Sequence, residues 1–132
     1  MHASYSNVPR EPIVANPQEL IHVVRDARLR ATLSRIQSEP SCSANELARE
    51  VRLSPAHLQR LFKHETGLNI STLLVENRLQ IAARLLSGSD LPIRGVAYAV
   101  GYRQHSSFVR AFQRRFAQTP KHFRTRQGGQ SQ

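Results

Sequence analysis

One segment of this chain occurs twice. Ser54-Pro55-Ala56-His57-Leu58-Gln59-Arg60-Leu61-Phe62-Lys63 returns fifty positions later as Gln104-His105-Ser106-Ser107-Phe108-Val109-Arg110-Ala111-Phe112-Gln113, with Leu58 matching Phe108, Arg60 matching Arg110 and Phe62 matching Phe112. Each copy follows a short apolar-periodic run and a tight turn. Before the turn the offset is 49, pairing Leu47 with Val96, Ala48 with Ala97 and Val51 with Val100; after it the offset is 50. The second turn therefore holds one extra residue, within Tyr102-Arg103-Gln104. A chance repeat would not keep its core register on both sides of an insertion. Two helix-turn-helix units in one short chain are the expectation. Arg52 stands where Gly101 stands in the second copy, and if that site needs a positive φ an arginine costs about 1 kcal/mol or more there.

The rest of the chain punctuates helices. Residues 1–25 form a leader, loose over 1–15, in which Asn16-Pro17 looks like a cap and first-turn proline. Leu20, Ile21 and Val24 suggest a short helix at 17–24, with a disordered leader as the alternative. Asp26 caps a helix with Leu29, Leu33 and Ile36 on one stripe, and Glu39-Pro40 ends it. Ser43 and Glu46 form a capping box for the next. Ser54 and Pro55 open a helix that Gly67 stops. Ser71 to Leu86 reads as a longer helix with Leu74, Leu79, Ala82 and Leu86 inward, followed by Gly88. Sixteen such residues span roughly 24 Å, enough to join two units and hold them apart. Ile93, Val96, Ala97 and Val100 line a short helix, residues 105–116 form its partner, and Thr119-Pro120 starts a final short helix with His122 and Phe123. No strand pattern appears. The expectation is an all-α chain: subdomains at 26–69 and 88–125, a linker helix at 70–87 and a disordered tail at 126–132.

Charge narrows the function. The chain carries 19 Lys+Arg against 9 Asp+Glu, a net +10. No acidic residue follows Asp90, whereas Arg94, Arg103, Arg110, Arg114, Arg115, Lys121, Arg124 and Arg126 do. Those eight cations supply +8 of the +10, a field that draws in a polyanion and releases its counterions. A merely soluble basic surface, or one touching acidic lipid, is the competing reading of charge alone. Cys42 is the sole cysteine, so neither a disulfide framework nor a cysteine-based metal site is available. The histidines have no metal-ligand spacing, and no cofactor is implied. Neither a signal peptide nor an apolar run long enough to span a membrane is present, which reads as a cytoplasmic protein with no membrane partner.

At 100° per residue, Leu58, Leu61 and Phe62 share one side of their helix, while Ala56, Gln59, Arg60 and Lys63 share nearly the opposite side. In the second copy Phe108, Ala111 and Phe112 point in, and Ser106, Val109, Arg110 and Gln113 point out in the same register. Arginine pairs with guanine O6/N7, glutamine with adenine N6/N7, and alanine or valine touches a thymine methyl. A solvated face with no partner more often alternates Glu and Lys, a pattern absent here. His105 reads a base or caps its helix, with the base-facing role preferred. Arg114, Arg115 and Lys121 read as phosphate contacts, as do Lys63 and Arg103. Helix starts at Ser43, Ser54, Ser71 and Thr119 offer backbone N–H groups to phosphates.

Three blocks in the second unit resemble the DNA-binding domain of the AraC/XylS family of bacterial transcription regulators: Ile93-x-x-Val96-Ala97-x-x-Val100-Gly101-Tyr102, Phe108-x-x-x-Phe112, and Thr119-Pro120-x-x-Phe123-Arg124. Arg78-Leu79 with Ala82-Ala83-x-Leu85-Leu86 is similar to the family's linker helix, and Leu58 through Lys63 with Gly67 is similar to its first unit. The resemblance covers about residues 26–125. It implies about seven helices in two subdomains, and recognition helices at about 55–66 and 105–116 that enter successive major-groove segments of double-stranded DNA. It assigns base reading to Ala56, Gln59 and Arg60, and to His105, Ser106, Val109 and Arg110, with Ser107 near a phosphate. It also implies a transcription activator that recruits RNA polymerase. Arg52 departs from the family's usual glycine, and Ala56 is smaller than some relatives' reader. The family's usual sensor and dimerisation domain has no counterpart in the leader, so the chain is either a stand-alone member, expected to bind DNA as a monomer, or the C-terminal part of a longer dimeric regulator. The competing function is a truncated interaction module that modulates a full-length regulator or polymerase. An enzyme is poorly supported: no phosphate loop, metal cluster or nucleophile–base pair appears, and Cys42 has no companion cysteines to hold a zinc.

Overall fold

Local caps decide where several of the helices begin. In the computed structural model, which describes residues 17–130, eight helices and no strand occur among the described residues: α1 Pro17–Val23, α2 Ala27–Ser38, α3 Ala44–Glu50, α4 Pro55–Thr66, α5 Ile70–Gly88, α6 Ile93–Ala99, α7 His105–Phe116 and α8 Pro120–Gln130. The Asp26 side chain accepts the Arg28 N–H at 2.8 Å ahead of α2. Ser43 and Glu46 exchange side-chain and backbone bonds at 3.1 and 2.8 Å ahead of α3. Ser54 caps α4 through the His57 N–H, and Gly67 at φ 78° ends it. Each such cap satisfies donors the helix itself leaves open. Ser71 is not a cap: α5 starts one residue earlier, and the carbonyl of Asn69 accepts the Leu73 N–H. The expected looseness of residues 1–15 and the Asn16 cap lie outside the described residues, as do positions 131 and 132.

The chain divides into two compact units inside α5, one ending at Arg78 and the other beginning at Leu79. The first unit is α1 to α4 plus the first half of α5. Its core holds Leu29, Leu33, Ile36, Leu47, Leu58, Phe62, Ile70 and Leu73, all essentially inaccessible. Leu20 and Val24 join that core, so the leader segment 17–24 belongs to the first unit and supplies the eighth helix. The second unit is the rest of α5 with α6, α7 and α8, closed around Leu79, Ala82, Leu86, Val96, Ala97, Phe108 and Phe112. Phe112 is the hub of an aromatic cluster, with ring centroids 5.7 Å from Phe108, 4.6 Å from Phe116 and 5.4 Å from Phe123.

The duplication is longer than the recognition segment. Leu29 matches Leu79, Thr32 matches Ala82 and Ile36 matches Leu86 at an offset of 50, and all six are buried. α5 thus serves as the last helix of one unit and the first of the next. Residues 39–43 join α2 to α3, whereas residues 89–92 join α5 to α6, one residue fewer. That deletion cancels the insertion in the second turn, which is why the offset returns to 50.

Both units turn the chain with the same hydrogen bonds. The Arg52 N–H reaches the Arg49 carbonyl at 3.1 Å and the Leu53 N–H the Ala48 carbonyl at 3.0 Å; Gly101 reaches Tyr98 at 3.0 Å and Tyr102 reaches Ala97 at 2.9 Å. This closure needs a left-handed residue. Gly101 adopts φ 104° and Arg52 adopts φ 62°, so the conditional cost read from sequence applies. A second pair closes the recognition helices: the Gly67 N–H bonds Lys63 and the Ala117 N–H bonds Gln113, both at 2.8 Å, with Ala117 at φ 63°. Each unit therefore contains one glycine and one strained L-residue at its two left-handed sites.

Arginines hold carbonyls at and beyond the ends of α2 and α5. Arg78 donates to the Pro40 carbonyl at 2.8 Å and to that of Cys42 at 2.7 Å, beside Asn77 on the Ile36 carbonyl at 3.1 Å. Arg124 donates to the Leu86 and Ser89 carbonyls at 3.1 and 3.2 Å. The planar fork of a guanidinium spans two carbonyls where an ammonium does not. α8 continues to Gln130, into the stretch expected to be a disordered tail from residue 126. Its backbone ladder runs past Phe123 without a proline to stop it, though Gly128 and Gly129 weaken helix propensity.

Candidate nucleic-acid interface

The buried stripe of each recognition helix fixes which side chains remain outside. In α4, Leu58 and Phe62 are fully buried, and Ala56, Gln59, Arg60 and Lys63 are exposed. In α7, Phe108 and Phe112 are fully buried, and Ser106, Arg110, Gln113 and Arg114 are exposed. The two outer faces keep one register at an offset of 50, as their cores do. Val109 and His105 differ from the expectation of a fully outward face. Val109 is half-buried, with one edge on the second core, because the phenylalanines on either side draw that flank inward. His105 is half-buried as the first residue of α7, and its Nδ1 is buried without a hydrogen-bond partner among the described residues. That leaves Nε2 as the ring nitrogen for an outside partner.

The flanking residues fall into engaged and free groups. The Ser54 hydroxyl accepts the His57 N–H at 3.1 Å as a cap, and its own proton remains available. The Ser107 hydroxyl donates to Gln104 Oε1 at 3.4 Å. Arg103, in the second turn, and Lys121, near the start of α8, are exposed. Arg115 is half-buried and its guanidinium lies 4.7 Å from the centroid of the Phe116 ring, a cation–π contact that holds the charge close to the second unit's surface. Since no carboxylate follows Asp90, the exposed cations of α6 to α8 have no acidic neighbour within their own segment.

Sequence reasoning missed the start of α7. Gln104 makes no side-chain cap, and the N–H groups of His105, Ser106 and Ser107 have no partner among the described residues. Three bare donors sit where the helix dipole also favours an anion. The available signal was a glutamine at a position where Ser, Thr, Asp or Asn caps best.

Other chemistry is not assembled. Among the described residues no group of three or more His, Cys, Asp or Glu is placed to hold a metal ion, and no helix is long and apolar enough to cross a membrane. Cys42 is buried, and burial pushes its thiol up, away from the reactive thiolate.

Known proteins share this arrangement. A family model described as a helix-turn-helix domain matches residues 47–126. The HTH-type transcriptional regulator GlxA of Rhizobium meliloti is 43% identical over 82 residues, covering 62% of this chain and 25% of its own length. The C-terminal domain of AraT, a response regulator from Geobacillus stearothermophilus, is similar in structure, with a TM-score of 0.69 and 30% identity over 76% of this chain and 85% of that one. The DNA-binding domain of AdpA, solved in complex with a target DNA, shares the fold, with a TM-score of 0.67 and 24% identity over 76% of this chain and 92% of that domain. The chain spans between 25% and 40% of the length of the first curated relatives it matches.

Proposed function

Because the chain belongs to the AraC-type family of helix-turn-helix DNA-binding transcription regulators, we propose that it reads an asymmetric DNA site with both recognition helices, α4 and α7, in successive major-groove segments. The observation that carries this reading is the pair of exposed faces in one register, each set opposite a fully buried stripe. Ala56, Gln59 and Arg60 read bases from α4; His105, Ser106, Val109 and Arg110 read them from α7. Arginine and glutamine supply bidentate pairs, and Ala56 and Val109 supply apolar contacts to thymine methyls. Ser54, Lys63, Arg103, Ser107, Arg114, Arg115 and Lys121 anchor phosphates, which set position and orientation on the duplex.

The chain acts as a monomer on DNA, in the cytoplasm, needs no cofactor, catalyses no reaction, and activates transcription by contact with RNA polymerase. Two non-identical reading faces in one chain make the site that each chain reads asymmetric. Selection of bound duplexes from a random pool tests the reading at physiological salt. The expected result is an asymmetric consensus covering about two helical turns. Equal affinity for random and selected duplexes would overturn it and favour a module that modulates another regulator or the polymerase.

A further inference from the structure

The two turns that precede the recognition helices are built alike, yet they place their cations differently. In the second unit five residues, 100–104, separate α6 from α7, and Arg103 has a position of its own beside the left-handed Gly101. In the first unit only residues 51–54 separate α3 from α4. Val51 and Leu53 pack against the first core, and Ser54 caps α4. Arg52 is the one remaining position, and it is the left-handed one.

Arg52 contributes nothing to the fold that would offset its strain. It is exposed, and its guanidinium has neither a hydrogen bond nor an ion pair among the described residues. Its hydrogen bond to the Arg49 carbonyl is made by the backbone N–H, and Gly101 makes the same bond to the Tyr98 carbonyl. Ala117 is strained in the same way but ends in a methyl group, so strain alone does not mark a contact. A strained residue with an unengaged charge, next to a recognition helix, points outside the fold. The start of α4 is also poor in backbone donors: Pro55 has no N–H, and those of His57 and Leu58 are taken by Ser54. Ala56 alone keeps a free first-turn N–H, against three at α7.

We infer that Arg52 is a phosphate-anchoring residue, the first unit's counterpart of Arg103, held at the left-handed site because the shorter turn has no other place for a cation. Arg52 lies three residues before Pro55, within about 10 Å of chain from the start of the helix. The inference rests on the DNA-binding reading above and adds a contact to it.

The test compares R52G, R52A and A117G with the wild type, by thermal melting and by fluorescence anisotropy on a labelled mixed-sequence duplex of roughly 30 base pairs. R52G and A117G are both expected to raise the unfolding midpoint by about 2–6 °C, since glycine removes the same strain in each. Only R52G and R52A are expected to weaken binding. Each should flatten the dependence of log K on log salt by about 0.9, the contribution of one neutralised phosphate. Between about 50 and 200 mM salt the wild type then loses about 3.5-fold more affinity than either variant. R52A keeps the strain and loses the charge, so it separates the two effects. An unchanged salt slope in R52G and R52A, with wild-type binding intact, overturns the inference and leaves the DNA-binding reading standing. A slope that also flattens in A117G overturns it, because strain and not charge would then be the cause. A wild-type chain that binds no duplex overturns both.

Discussion

Phe62 and Phe112 occupy equivalent places in the repeat, and replacing each by leucine should not cost the same. Both are fully buried in the middle of a recognition helix. Phe112 touches the rings of Phe108, Phe116 and Phe123, at 4.6 to 5.7 Å between centroids. Phe62 has no ring neighbour among the described residues and sits among aliphatic side chains. The loss of apolar volume is common to both sites, about 1 kcal/mol for one to two methylene equivalents. Each ring pair adds about 0.5–1.5 kcal/mol beyond area, but pairs that share one residue do not add fully, so the cluster contributes about 2 kcal/mol. Phe62→Leu is therefore expected to cost about 1 kcal/mol and Phe112→Leu about 3 kcal/mol. A unit of this size has a stability of roughly 3–8 kcal/mol, so the second loss is a large fraction of the whole. Native-state amide hydrogen exchange reads each unit separately, through the slowest amides of α4 and α7. Equal losses in the two units would refute the claim that the aromatic cluster supplies the difference.

Three further outcomes follow from the same contacts. Arg110→Ala should cost about 1–3 kcal/mol on the selected site and relax one base position, whereas Arg114→Ala should weaken all sequences alike; a repeated selection with each variant distinguishes them. Arg124→Gln should lower stability by about 2 kcal/mol, because the Leu86 and Ser89 carbonyls lose a charged donor; Arg124→Lys should not restore it, as judged by urea titration. The Arg28 side chain and N–H hold the Asp26 carboxyl down at about 2, below its ordinary 3.8. The unfolded chain therefore takes up this proton first, and the stability Asp26 contributes is complete above about pH 4 and lost as pH falls towards about 2. Asp26→Asn keeps a capping oxygen but not the titration, so the melting temperatures of wild type and variant should differ at neutral pH and converge by about pH 2.

Helix starts were legible where a side chain caps its own first turn, though Ser71, read as such a start, is not one. Asp26, Ser43 with Glu46, and Ser54 with Pro55 act on their own first turns, and the structure uses each as expected. The outward faces of α4 and α7 were legible for a related reason: a helical period of 3.6 residues converts spacing directly into sides. Long-range partners were not legible. Arg78 and Arg124 look like surface cations in sequence, yet each clamps carbonyls 35 to 38 residues away. Arg115 looks like a free phosphate contact, and its stacking on Phe116 depends on a rotamer that no spacing encodes. The docking of α1 was equally hidden, since Leu20 and Val24 are too few to commit a short helix until a core exists to bury them.

From residue order alone came the doubled helix-turn-helix, its register on either side of the longer second turn, and the two polar faces, because cap chemistry and apolar period are local properties of a chain. Tertiary packing decided the rest. It made α5 a member of both units and chose which arginines are spent on carbonyls and which stay free. Those outcomes depend on groups distant in sequence competing for the same space and the same donors, and that competition exists only once the core has closed.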